Sequence, residues 1–346
     1  ARARRRRART GRGPQTLVDP GAILDDMRLV KDDHEIGRIR DAARVTVEAF
    51  REAARVIRPG AGEWEVEAAI EAGFRRQGAQ GFAFPSVVAS GERAAVLHYI
   101  DNEYAMPADG LVLLDAGASL RHYAADVSRT FPVSGEFSPE QRSLYDVVLA
   151  ARDAAIDAVR PGATIDDVHT AALHVLVRAL VDHGLLVGDP HDLADDERAY
   201  KPFFPHRTSH WLGLEVHDVG DYARDGEPRT LEPGMILTVE PGLYIPDAET
   251  PGPAPAPLAS DHGIENREPP ASDTHATDDA AEDVDAEHDD SGPHPAWRTI
   301  PSALRGIGIR IEDDVLVTPD GHEILTSALP ADADAVQRMV GHPEAW

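Results

Sequence analysis

The chain has 346 residues, 42% of them hydrophobic, enough for one large core or two modest ones. It contains no cysteine, which excludes disulfides, a thiol nucleophile and cysteine-bound zinc, and suits a cytoplasmic setting. A formal net charge of −27 argues against nucleic acid and anionic membranes as partners, and no run of about 18 apolar residues is present to span a membrane.

The first twelve residues, ARARRRRARTGR, carry seven arginines and no acid. No apolar run or small-residue cleavage site follows them. Residues 1–26 therefore read as a disordered basic arm and linker rather than an export signal. Apolar residues at three- and four-residue steps, from Ile36 and Ile39 to Ala54 and Ile57, predict a helix over 31–57 that stops at Arg58-Pro59-Gly60. A second helix runs through Val66, Ile70 and Phe74 and ends near Gly78. Residues 84–89 and 95–99 read as strands turning at Gly91. Asp115 ends the apolar run LVLLDAGAS, and Asp126 lies in the alternating run YAADVSRTFPVSG. The short polar link between the two runs makes them antiparallel neighbours.

Ser138-Pro139-Glu140 opens a third helix, with serine as N-cap and proline in the first turn. It closes at Arg160-Pro161-Gly162-Ala163, and Thr164 caps a fourth helix through Val168, Leu173, Leu176 and Leu180. The unit helix–Arg-Pro-Gly-Ala–helix thus occurs twice, 102 residues apart, each copy followed by strands. Such a repeat predicts two αβ halves around one sheet, with a site between them. Residues 246–300 break the pattern. They are rich in proline and acid, carry His262, His275, His288 and His294, and read as a disordered, solvated insertion whose end is docked by Trp297 and Ile300.

Five residues scattered over this frame stand in strands or at strand ends: Asp115, Asp126, His210 in SHWLGLEVHDVG, Glu240 in MILTVEPGLYI, and Glu312 in GIGIRIEDDVLVT. Singly, each has an ordinary structural reading as a turn, cap or ion-pair residue. Together, four carboxylates and one imidazole form an oxygen-rich ligand set. It suits a pair of divalent cations such as Mn²⁺, Co²⁺, Zn²⁺ or Fe²⁺ better than one tetrahedral zinc. Two cations about 3.5–4 Å apart can share and ionise a water. In the last motif Arg310 and Glu312 share one face of a strand, and Ile309 and Ile311 the other. Burying that charged face is costly unless its charges are paired or bind metal. The sequence has no Gly-x-Ser-x-Gly elbow and no phosphate-binding glycine loop after a strand.

The motifs SHWLGLEVHDVG, EPGMILTVEPGLYI and RGIGIRIEDDVLVT resemble those of the pita-bread metallopeptidases, and within them the aminopeptidase P and prolidase branch. The resemblance runs from about residue 27 to 327. It implies an α+β pita-bread fold over 27–346, with two pseudo-symmetric αβ halves around a curved, antiparallel-rich sheet. It implies that Asp115 chelates one metal, that His210 and Glu240 hold the other, and that Asp126 and Glu312 bridge them. Mn²⁺ is the first expectation, with Co²⁺, Zn²⁺ and Fe²⁺ as alternatives. Glu240 would also manage a proton, and His217 would stabilise an oxyanion. His98 and His206, with His217, would orient the substrate, and Arg310 would orient a ligand carboxylate. Arg207 follows His206 where the family commonly has glycine. The implied activity is removal of the first residue from peptides with proline second. Prolidase action on Xaa-Pro dipeptides and a non-catalytic peptide-binding domain are the alternatives. Relatives carry a further N-terminal domain that nothing here matches, which leaves assembly open, a homo-oligomer included.

Overall fold

The computed structural model describes residues 20–224, 226–252 and 293–341. Most of the basic arm and the centre of the acidic insertion lie outside these residues. The described chain opens on a helix, Gly21–Leu29, which begins inside the stretch 1–26 expected to be arm and linker. Contacts far along the sequence hold it there. Asp26 pairs with Arg224 and Arg229, and Leu29 is fully buried. No described helix is long and apolar enough to cross a membrane.

Two helix pairs follow, as the periodicity predicts. Asp33–Ala54 is capped by Asp32, whose carboxylate accepts the amides of His34 and Glu35, and it buries Ile36, Ile39, Val47 and Phe50 against the sheet layer. Glu63–Arg76 lies beside it. The second pair is Pro139–Ala158, capped by Ser138, and Ile165–Asp182, capped by Thr164. The repeat extends to single hydrogen bonds. Gly60 and Gly162 both take left-handed φ, 79° and 85°, a conformation that disfavours a Cβ. Their amides donate to Met106 and Leu231, both at 2.9 Å. In each copy an acid then reaches back to the cap amide, Glu65 to Gly62 and Asp167 to Thr164.

The first half contributes six strands: β1 (Gly81–Phe82), β2 (Val87–Ser90), β3 (Leu111–Ala116), β4 (Ala118–Leu120), β5 (Tyr123–Ala124) and β6 (Val127–Pro132). They pair antiparallel in the orders β2-β3-β6 and β1-β4-β5. The Asp115 and Asp126 runs are therefore neighbours, with Asp115 opposite Ser128, and the link between them is itself the β4–β5 hairpin. One expectation fails. Residues 95–99 are not a strand: Gly91–Ala95 is a 3₁₀ turn, and an irregular segment follows. Gly91 has φ 62°, and buried Glu63 gathers donors from Ser90, Arg93, Tyr99 and Tyr104. The backbone wraps around a carboxylate there instead of pairing with a strand.

The second half holds a small hairpin, β7 (Ala223–Arg224) with β8 (Glu227–Pro228). It also holds β9 (Ile236–Val239), β10 (Gly242–Tyr244), β11 (Gly308–Arg310), β12 (Asp313–Thr318) and β13 (Gly321–Ile324). These pair antiparallel as β13-β12-β9 and β10-β11. The halves meet where β6 runs beside residues 308–314. There the Glu312 amide donates to the Ser128 carbonyl at 3.1 Å, and Thr130 Oγ1 bonds both the N–H and the carbonyl of Arg310. One apolar core runs under both halves and includes Phe50, Phe131, Tyr145, Trp211 and Val315. The described ends of the 246–300 insertion pack on this body. Ile300 is fully buried and donates to Glu249, and the Trp297 indole donates to the Ala199 carbonyl.

Gly117 sits between β3 and β4, where a Cβ would lie 1.6 Å from the Ala125 carbonyl oxygen. Gly117→Ala must therefore push apart the segments carrying Asp115 and Asp126. A loss of about 3 kcal/mol is expected, at the upper end of overpacking costs, and a thermal melt beside the parent protein measures it.

Candidate metal centre

The seam between the halves gathers the acidic residues. Asp126 immediately precedes β6, Glu312 joins β11 to β12, and His210 lies on a stretch that pairs with β9. Asp126, His210 and Glu312 are all buried, and each offers one ligand atom within 4.8 Å of the others. His210 Nε2 lies 3.4 Å from Asp126 Oδ2 and 3.6 Å from Glu240 Oε1. Its Nδ1 faces the Trp211 carbonyl at 3.1 Å. A carbonyl only accepts, so Nδ1 carries the proton and Nε2 turns a lone pair towards two carboxylates. Burial, and then the nearby His217, lower the His210 pKa to about 3, so the ring is neutral at neutral pH. A cation between the lone pair and the carboxylates reconciles this arrangement.

Asp115, at the end of β3, pairs with Arg310. Arg310 is buried and also donates to Ser128 Oγ and the Tyr244 hydroxyl, both at 2.9 Å, while Ser128 donates to Glu312 Oε2 at 2.8 Å. Asp115 and Glu312 are thus tied together through one guanidinium and one hydroxyl. The other oxygens are left over: Asp115 Oδ1, Asp126 Oδ1 and Glu312 Oε1 are buried with no hydrogen-bond partner among the described residues. Burial, and then the neighbouring carboxylates, push Asp126 and Glu312 well above the usual carboxylate range. An orphaned buried acceptor costs about 1–3 kcal/mol, and more when charged. Hard divalent cations would satisfy all three oxygens, so the donor set fits a metal.

Glu240 follows β9. Its amide donates to Thr208, and Thr238 Oγ1 accepts the His210 amide at 3.1 Å, which fixes the two side chains relative to each other. His206 Nδ1 is 3.7 Å from Glu240 Oε2. Its Nδ1 faces the Arg207 carbonyl, so its Nε2 accepts the Tyr244 hydroxyl at 2.8 Å. Burial, and then Arg310, lower the His206 pKa to about 3. Arg207, the departure from the family pattern, turns away to pair with Asp166. The exposed ring of His217 stands across that of His210, centroids 4.5 Å apart at 77°. The next residue, Asp218, is buried and pairs with Lys31 at 3.1 Å and with Arg28. His98 is exposed on the irregular segment that follows Gly91–Ala95, on the His206 side of the group.

Asp126, His210 and Glu312 therefore form the tight group. Glu240 and the Asp115–Arg310 pair flank it, His206 and His217 line it, and His98 stands at its margin. Ser128, Thr238 and Tyr244 are positioning residues that the sequence reading missed. Only the placement of Ser128 two residues after Asp126, on the same strand face, could have signalled one of them. The Tyr244 hydroxyl links Arg310 to His206. Asp314, also missed, accepts the Asp126 amide at 3.2 Å.

The profile of metallopeptidase family M24 matches residues 37–319. The Xaa-Pro aminopeptidase of Escherichia coli K12 is 37% identical over 94% of this chain and 63% of its own length. That of Haemophilus influenzae is 35% identical over 94% of this chain and 64% of its own. Among solved structures, Pseudomonas aeruginosa aminopeptidase PepP superposes with a TM-score of 0.79 at 39% identity, covering 97% of this chain and 65% of that one. Proline aminopeptidase P II from Yersinia pestis gives 0.78 at 38%, covering 97% and 66%. The chain spans just under two thirds of the length of these relatives. Its fold is the α+β pita-bread fold that the motifs implied.

Proposed function

Because the chain belongs to metallopeptidase family M24, we propose that it removes the N-terminal residue from peptides whose second residue is proline. The observation that carries this is the set of orphaned carboxylate oxygens of Asp115, Asp126 and Glu312 around a neutral His210. We assign Asp115 to one metal, His210 and Glu240 to the other, and Asp126 and Glu312 to both, with manganese as the expected ion. When bound, such a pair supplies Lewis acidity and lowers the pKa of a shared water.

The chain's own residues do the rest. Glu240 is the least buried of the four carboxylates, its side chain 17% exposed, so it can hold the proton released by the attacking water. The exposed His217 ring can donate to the oxygen of the scissile carbonyl as charge develops there. The relay Arg310–Tyr244–His206 fixes one wall of the site, and His206 with His98 orients the peptide. Proline at the second position brings no N–H, whereas another residue would bury an unpaired donor. That difference of about 1–3 kcal/mol corresponds to a roughly ten- to hundredfold preference. The similarity to Xaa-Pro aminopeptidases supports this reading.

The test is hydrolysis by manganese-loaded protein of Xaa-Pro-Xaa, Xaa-Ala-Xaa and Xaa-Pro peptides side by side. The expected result is cleavage of the first bond of Xaa-Pro-Xaa, with Xaa-Ala-Xaa slower by the factor above. Cleavage confined to Xaa-Pro dipeptides would make the protein a prolidase. Two bound metals without hydrolysis of any of them would make it a binding domain.

A further inference from the structure

His98 has an exposed side chain on a segment with no sheet to hold it. Val96 and Ile100 on either side are 54% and 53% exposed. A group that meets a substrate from such a segment is useful only if its backbone is fixed, since displacement of about 1 Å can cost a hundredfold in rate. The fixing element is Glu63, the first residue of the Glu63–Arg76 helix, which is fully buried. Its Oε1 accepts the Ser90 amide at 2.9 Å and the Ser90 hydroxyl at 2.7 Å, with Arg93 Nε at 3.3 Å. Its Oε2 accepts the Tyr99 hydroxyl at 2.7 Å and the Tyr104 amide at 2.9 Å. Every partner is a donor, and together they mark the start, middle and end of the segment.

Tyr99 follows His98 directly and is pinned at both ends. Its ring belongs to the buried cluster of Val87, Ala89, Leu113 and Tyr244, the same Tyr244 that links Arg310 to His206. Its hydroxyl accepts the Glu103 amide at 3.2 Å and donates to Glu63. Burial, and then the Glu63 bond, push the phenol up to about 12, so it remains a donor at neutral pH. Asn102 adds a second clasp, accepting the Val88 amide and donating to the Ser86 carbonyl.

We propose that Glu63 and Tyr99 are positioning residues for the peptidase reaction, holding His98 at the margin of the metal centre through the Tyr99 hydroxyl. The proposal rests on the reading above, in which His98 meets the peptide.

The test is a double-mutant cycle of Tyr99→Phe and His98→Ala in the metal-loaded protein, with kcat and KM measured on an Xaa-Pro-Xaa peptide. Tyr99→Phe keeps the ring in its cluster. It should leave metal content at the parent value and lower Tm by only a few degrees, while kcat falls about tenfold. In the His98→Ala background the same change should have no further effect. Glu63→Gln sets an NH₂ against donors and should lower kcat further, again only when His98 is present. If Tyr99→Phe lowers kcat by the same factor in both backgrounds, the effect does not pass through His98 and the proposal falls, while the reading of His98 stands. If His98→Ala alone leaves kcat and KM unchanged, the reading of His98 falls and takes the proposal with it.

Discussion

Asp126→Asn and Glu312→Gln are each expected to abolish turnover and to reduce bound metal from two equivalents towards one or none. Both carboxylates lie at the seam of the two halves, both are buried, and each has one oxygen without a hydrogen-bond partner among the described residues. If each oxygen pair spans both cations, removing one carboxylate leaves two like charges at close range with less to screen them. The amides are nearly isosteric, so the fold should survive. They also remove one charge from a cluster in which burial and the neighbouring carboxylates push Asp126 and Glu312 above the usual range. The metal-free variants should therefore unfold no earlier than the metal-free parent. Elemental analysis showing two tightly held metals in either variant would sink the bridging assignment.

Arg129→Met is expected to destabilise the protein by about 3–5 kcal/mol, the usual cost of removing one partner from a buried ion pair. Arg129 is fully buried on β6. Its guanidinium donates to Asp313 Oδ1 at 2.8 Å and to the carbonyls of Ser128, Glu312, Leu329 and Pro330. Burial alone would raise the Asp313 pKa, but Arg129 and then Arg152 outweigh it and hold the carboxylate below its usual range. Methionine fills much of the volume but supplies no donor, so among the described residues the Asp313 carboxylate keeps Arg152 and Thr326. A melting temperature lower by roughly 10 °C would follow for a domain of this size. Because the Glu312 carbonyl is one of the lost acceptors, metal affinity should weaken as well. Urea unfolding of parent and variant checks the figure. A difference under about 1 kcal/mol would show that the buried pair adds no net stability.

The two long helix pairs were legible in the sequence because what specifies them is local. Apolar spacing from Ile36 to Ala54, the caps Ser138 and Thr164 and the turns at Gly60 and Gly162 all act within one or two helical turns; the first helix ends at Ala54, three residues before the expected 57. The 102-residue repeat was legible for the same reason, since both copies close the same local bonds. The antiparallel pairing of the Asp115 and Asp126 runs followed from their short link. Tertiary structure alone decided the rest. Residues 95–99 have strand composition, yet Glu63, about thirty-six residues away, draws them off the sheet. The Gly21–Leu29 helix is tied by Arg224 and Arg229, some two hundred residues on. Within the centre, five ligand candidates could be named from motifs. The Asp115–Arg310–Ser128–Glu312 chain, the proton on His210 Nδ1 and the orphaned oxygens could not. A carboxylate reads identically in a sequence whether its oxygen meets an amide, a guanidinium or nothing, because burial and donor geometry are set by segments that meet only when the chain has folded.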